Sequence, residues 1–337
     1  MIANKYKYLF IDSSYVARKS QAVAANIKSM NGGNILELTP GDIVTQFIYC
    51  IKKMTVEYGV SSDKIILLAD CWDPEYNGYY RTFLLNGAYK DDRTWITEKD
   101  LDKEGLSDEE RYRLEIEAHK NKCFQESKKI IRNELGKIGM PTVLRKSFEA
   151  DDLSYIYSSL AFNCNKPSCS ASKDMDWMWL SVNPKVDFFR IPANKSLPEF
   201  FTYSKMIENI PEDLRSKISL YQWRYLYDSI EGSHNAMRKT RKDRKKTEDI
   251  IRKIILYEDY SDLEDYDTFQ RQYSSSYIER YPGFDSVVKS FHLIDKMGTL
   301  GDISSLKEIR EKYNINISDR YYTNNFLTRL DERLYSE

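Results

Sequence analysis

Histidine and cysteine are scarce in this chain, with three and five among 337 residues. The cysteines (Cys50, Cys71, Cys123, Cys164 and Cys169) are odd in number and show no C-x-x-C spacing. That combination argues against a structural zinc site and reads as small core residues in a reducing compartment. No glycine-rich phosphate loop of Walker or dinucleotide type occurs, and no internal repeat is visible. The N-terminal MIANKYKYLFID lacks the apolar stretch of a secretory signal, and no apolar run approaches membrane-spanning length. These absences predict a soluble cytoplasmic protein without a membrane partner; a monomer is expected. A charge of one sign is missing too: 51 basic residues face 52 acidic ones, so only the local charge pattern speaks to partners. Hydrophobic content of 41% is enough to build a packed core, in one large domain or two smaller ones.

What is present alternates in character. Lys7 to Asp12 (KYLFID) is a short apolar run ending in an acid. From Gly41, the spacing of Val44, Phe47, Ile48, Ile51 and Met54 predicts a helix, with Thr39-Pro40 as its start. Lys64 to Asp70 (KIILLAD) resembles a strand buried on both faces and again ends in an acid. Residues 81–137 are densely charged, with their clearest helix in the second half. Pro141 to Leu144 predicts a third strand, 150–162 a helix, SCSASKDMDWMWLSV a fourth strand and Lys185 to Ile191 a fifth. Beyond about residue 200 the chain reads as mainly helical. Alternating strands and helices predict an α/β fold with a mostly parallel central sheet flanked by helices.

Three apolar runs finish in acids: Asp12, Asp70 and the pair Asp174/Asp176. In open parallel sheets, sites form at the carboxyl ends of strands. Glu149, Asp151 and Asp152, in FEADD at the start of a helix, are placed to join them. Singly, each has an ordinary reading as a turn residue or a helix-start acid favoured by the macrodipole. Together they form a cluster that needs cations, because close carboxylates raise one another's pKa. Hard oxygen donors suit Mg²⁺ or Mn²⁺. Two such ions about 4 Å apart support phosphodiester hydrolysis.

The order of LFIDSS, ILLAD, YYRTFLLNGAYKDDR, FEADD and SKDMDW resembles the 5′-nuclease family, over about residues 5–235. That family includes flap endonucleases and the 5′→3′ exonuclease domains of bacterial DNA polymerases. The likeness is greatest to its ribonuclease H branch from T-even phages. The resemblance implies a PIN-like 5′-nuclease fold with a helical arch over about 81–137. It implies a nuclease domain over 1–235 and a mainly helical region over 236–337 that binds duplex. It also implies two Mg²⁺ ions, with Mn²⁺ as a substitute, and Asp12, Asp70, Glu149, Asp152, Asp174 and Asp176 as metal ligands, with Asp151 an addition to the cluster. Arg81, Lys90 and Arg93 match the R…Y-K-x-x-R bases beside the scissile phosphate, and Tyr89 matches the residue at the substrate end. The next family motif, G-D-x-x-D-N, corresponds to YLYDSIEGSHN. One register puts Asp228 and Glu231 on its acids; another keeps Asn235 and puts Glu231 and His234 there. The first retains two oxygen ligands and is preferred.

The implied activity is metal-dependent removal of RNA primers and 5′ DNA ends or flaps during phage DNA replication. The alternative is a nuclease-fold protein that binds branched DNA, or docks replication proteins, without cutting. Implied partners are DNA and RNA–DNA hybrids with a 5′ end or flap, and a single-stranded DNA-binding protein or sliding clamp. Trp95 and Tyr112, in the arch segment, are candidates for stacking on unpaired bases or for ordinary helix packing. The run RKTRKDRKK supplies Arg238, Lys239, Arg241, Lys242, Arg244, Lys245 and Lys246 as contacts to duplex phosphates. Glu258 to Asp267 (EDYSDLEDYD) holds six acids and no base, and reads as a loop or a contact for a basic partner. Trp177 and Trp179 read as core, and His119 and His292 as surface or packed histidines.

Overall fold

A computed structural model describes residues 5–56, 58–85, 95–103, 105–174, 177, 185–190, 199–231, 241–296 and 303–316. In chain order the elements are β1 (Tyr6–Asp12), α1 (Ser13–Met30), α2 (Pro40–Val56), β2 (Ser62–Leu68), α3 (Tyr80–Leu84), α4 (Asp108–Glu134) and β3 (Thr142–Val143). There follow α5 (Ala150–Asn163), β4 (Ser168–Ser172), β5 (Val186–Arg190), β6 (Glu199–Phe201) and α6 (Tyr203–Ile207). The remainder is helical: α7 (Leu220–Glu231), α8 (Arg241–Tyr257), α9 (Tyr266–Ser274), α10 (Phe284–Lys296) and α11 (Ile303–Tyr313). The strands form one six-stranded sheet in the order β3-β2-β1-β4-β5-β6, an α/β architecture as the alternation predicts. By contacts the chain divides into two compact units. One holds Met1–Ala69, Asp92–Val143 and Ile294–Glu337; the other holds Asp70–Asp91 and Leu144–Leu293.

In the second unit β4 runs parallel to β5, and β6 closes the edge antiparallel to it. The antiparallel edge strand was not legible in advance: three residues are too few to show an alternation. β4 is buried throughout, and its Ser170 hydroxyl lies 3.2 Å and 3.4 Å from the Ser154 and Ser158 hydroxyls of α5. Small hydroxyls permit that close helix–strand approach while satisfying one another. The helical part buries Trp223 and Leu226 of α7, Ile251 and Ile254 of α8, Phe269 of α9 and Phe291 of α10. Phe291 meets Tyr157 of α5 edge-on, with 5.3 Å between ring centroids.

In the first unit β1 pairs parallel with β2 from Tyr6↔Ser62 to Asp12↔Leu68, and β2 pairs parallel with β3. α2 begins as expected, in a reciprocal cap: the Asp42 carboxylate accepts from the Thr39 N–H at 2.9 Å, and the Asp42 N–H donates to the Thr39 hydroxyl at 3.1 Å. Its buried stripe is Ile43, Val44, Phe47, Ile51 and Met54. α1 buries Val16, Ala17, Ser20, Ala24 and Ala25, residues too small to give a strong apolar period. α11 belongs to this unit. A Cβ on Gly41 would lie 2.0 Å from the Tyr313 carbonyl oxygen, so only glycine admits that approach. The Asn316 N–H then donates to the Thr45 hydroxyl at 3.1 Å.

Glu134, at the end of α4, fastens α11. Its carboxylate accepts from Tyr313 Oη at 2.8 Å and pairs with Lys137 at 2.6 Å and Lys312 at 3.5 Å. The Lys137 and Tyr313 hydrogen bonds hold its pKa down to about 2. A carboxylate depressed on folding contributes stability above its unfolded pKa, near 4.3, and loses that contribution as pH falls towards the folded value. Both lysines are about half exposed, which screens the ion pairs. Glu134→Gln is therefore expected to cost about 1–2 kcal/mol at neutral pH. In chemical denaturation, the gap between wild type and variant should narrow steadily from pH 5 to pH 3; a gap independent of pH would contradict this account.

Candidate active site

The acids of FEADD organise the start of α5. Glu149 is its N-cap residue, in extended conformation. Asp152 accepts from the Glu149 N–H through Oδ2 at 3.1 Å, and Asp70 accepts from the Ala150 N–H through Oδ1 at 2.8 Å. Two N–H groups of the helix terminus thus end on carboxylates, which the helix dipole favours. Asp70 reaches Ala150 because the segment after β2 is stapled to the segment before α5. The Cys71 N–H donates to Phe148 O at 3.1 Å, Ser147 N–H to Cys71 O at 3.2 Å, and Tyr80 N–H to Ser147 O at 3.0 Å. Ser147 sits at φ +71°, uncommon for a residue with a side chain, and its hydroxyl donates to Asp73 Oδ2 at 2.7 Å. The Ser147 and Glu75 hydrogen bonds hold the Asp73 carboxyl below its usual range.

The charge opposite these acids is Arg81, on the short helix α3. Its Nη2 lies 2.6 Å from Asp152 Oδ1 and its Nη1 3.3 Å from Glu149 Oε2. Glu149 and Asp152 are each 1% exposed and Arg81 is 9% exposed, so the trio is buried. Asp152 spends one oxygen on the helix terminus and the other on the guanidinium. Tyr281 packs against α3, with its ring 4.9 Å from Tyr80 and 5.8 Å from Phe148. Burial pushes the Tyr281 hydroxyl far above the ordinary phenol range; the Arg81 guanidinium opposes this, and the Asp152 carboxylate adds to it. That hydroxyl donates to Ser275 O at 2.6 Å. The neighbouring Asp151 takes a different partner, accepting from Trp177 Nε1 at 2.5 Å. Trp177 is buried, as expected of a core residue, but it also fixes an acid of the cluster.

Asp70, Glu149, Asp151, Asp152 and Asp174 belong to the second unit, and Asp12 to the first. Asp12 ends β1 and caps α1 by accepting from the Tyr15 N–H at 2.9 Å. Asp174 follows β4 and is exposed. Tyr89, Lys90, Arg93, Asp176, Arg238 and Lys239 lie outside the described residues, as do the side chains of Asp228, Glu231, Arg241 and Lys242. The chemistry of the donors, carboxylate oxygens throughout, fits Mg²⁺ or Mn²⁺. Among the described residues, no group of three or more His, Cys, Asp or Glu is arranged to hold an ion. The Arg81 guanidinium lies beside Glu149 and Asp152.

Two further groups were legible only in part. Trp95 is 45% exposed and stacks on Phe124 at 5.9 Å. The Arg18 guanidinium lies 3.8 Å from the Phe124 ring centre and 4.8 Å from that of Trp95. Tyr112 is 49% exposed on α4. On α8, Arg244 pairs with Glu248 at 2.7 Å, and Lys246 lies 3.8 Å from Glu264. Lys253 pairs with Asp262 at 2.5 Å. Part of the acidic run 258–267 therefore meets the bases of the preceding helix. His119 is packed, with Nε2 2.9 Å from Leu38 O.

No family model matches the chain, and neither does any curated protein. Among solved structures it is similar to the T5 D15 protein co-crystallised with metal ions, at 14% identity and TM-score 0.46. It is similar to T5 5′-exonuclease with bound zinc ions, at 15% identity and TM-score 0.45. It is similar also to the bacteriophage T5 flap endonuclease in a complex with DNA and metal ions, at 15% identity and TM-score 0.46. Each likeness covers 91% of this chain and 98% of the other.

The two adjacent aspartates are expected to differ sharply in weight. Asp152→Ala removes a helix cap and a buried partner of Arg81, and should cost about 3 kcal/mol. Asp151→Ala removes the Trp177 hydrogen bond at a part-buried position and should cost on the order of 1 kcal/mol. Equal losses in urea denaturation would contradict the assignment of Asp152 to the buried trio.

Proposed function

We propose that this chain is a metal-dependent 5′ nuclease that removes 5′-terminal RNA primers and 5′ DNA ends or flaps in phage-type DNA replication. One observation carries the reading: the acids of the two motifs ILLAD and FEADD, 79 residues apart between Asp70 and Glu149, meet at one helix terminus beside a buried arginine. Carboxylates gathered in one place are the donors that hard divalent cations take in phosphodiester hydrolysis.

In this reading Asp12, Asp70, Glu149, Asp152, Asp174 and Asp176 hold divalent cations, with Asp228 and Glu231 completing the set. When bound, such ions supply a lowered water pKa and compensation for charge on the leaving oxygen. The chain's own bases do the rest. Lys90 and Arg93 neutralise the reacting phosphate and its transition-state charge, and Tyr89 packs beside the substrate end. Trp95, held from behind by Phe124 and Arg18, offers its outer face to an unpaired base, a contact worth about 1–3 kcal/mol. The bases from Arg238 to Lys246 grip duplex phosphates without reading sequence.

A second reading, a nuclease-fold protein that binds branched DNA without cutting, is favoured by the Arg81 contacts, since Glu149 and Asp152 already have a counter-charge. Asp70→Asn separates the two. Asparagine retains an acceptor for the Ala150 N–H, so fold and most DNA affinity should survive while flap cleavage falls at least a hundredfold. Undiminished cleavage by that variant would remove Asp70 from the site.

A further inference from the structure

We propose that Arg81 is the resident counter-cation of Glu149 and Asp152, and that a divalent ion gains these carboxylates only by displacing it. The inference rests on the nuclease reading and adds to it a residue that sets metal affinity.

Burying two carboxylates is costly unless opposite charge or hydrogen bonds face them. Arg81 supplies that charge with a two-pronged geometry: one η nitrogen faces each acid, at 2.6 Å and 3.3 Å. The guanidinium therefore lies on one oxygen of each carboxylate, and the other oxygen of Asp152 is taken by the Glu149 N–H. It is also a built-in feature and not a mobile surface base. α3 is anchored by the Tyr80 N–H to Ser147 O bond and by the reciprocal Tyr79–Thr82 cap. Tyr281 covers it from the side of α10 and interacts with the guanidinium.

A divalent cation must overcome ion-pair contacts formed in a buried position, where such contacts are stronger than at the surface. Arg81 thus lets the helix start fold without metal, and weakens metal binding by an amount equal to the work of moving the guanidinium aside.

The test is Mg²⁺ and Mn²⁺ titration calorimetry on the full chain, as wild type, Arg81→Met and Arg81→Lys. Arg81→Met is expected to bind at least tenfold more tightly than wild type, with Arg81→Lys between them, and its melting temperature should rise more on adding Mg²⁺. Equal or weaker binding by folded Arg81→Met would overturn the proposal. If that variant does not fold in chelator, addition of Mg²⁺ should restore the folded circular dichroism spectrum; failure at saturating Mg²⁺ counts against it. In the wild type, the Arg81 guanidinium N–H resonances, identified by their loss in Arg81→Lys, should shift on saturation with Mg²⁺. Resonances unchanged at saturation would equally overturn it. Metal-dependent cleavage by a wild type whose Arg81→Met variant gains no affinity removes this inference alone. A wild type that neither binds Mg²⁺ nor cleaves removes the nuclease reading with it.

Discussion

A guanidinium held between two buried carboxylates is the interaction on which the rest of the site depends. Glu149 and Asp152 stand at the start of α5 because a helix N-terminus favours negative charge, and Asp152 closes the cap. The Arg81 guanidinium faces both carboxylates, each 1% exposed. The local backbone is arranged to deliver that arginine: the segment after β2 is tied by main-chain hydrogen bonds to Ser147 and Phe148, and α3 follows directly. The same ties bring Asp70 to Ala150. Fold and charge are therefore one problem here, solved by a short connection between a strand end and a helix start.

Charge is managed differently at the surface. The bases of α8 find acids at i+4 and in the loop that follows, in exposed pairs that salt screens and that contribute little to stability. The contacts of Arg81 with Glu149 and Asp152 are buried instead, out of reach of that screening.

Much of this was legible in the sequence, for identifiable reasons. Strands β1 and β2 showed themselves as apolar runs closed by acids, and α2 as a stripe of large residues behind a Thr-Pro start. FEADD was conspicuous because three acids in four residues demand a counter-charge. The identity of that charge was not legible, since Arg81 lies 71 residues from Asp152 and no local pattern links them. Tyr281 was hidden for the same reason, being still more distant. α1 carried a weak signal because alanine and serine form its buried face, and β6 was too short to alternate. The division into two units that interleave along the chain follows from long-range packing, which periodicity does not encode.

Cleavage of a 5′-labelled flap and of a nicked, RNA-primed duplex, in Mg²⁺ and in chelator, tests the central claim most directly. The account predicts release of short 5′ products with Mg²⁺ and none with chelator, and the relative rates on the two substrates would identify the preferred one. Tight binding of both substrates with no product in Mg²⁺ or Mn²⁺ would contradict it, and would make the Arg81 trio a structural device in a DNA-binding protein.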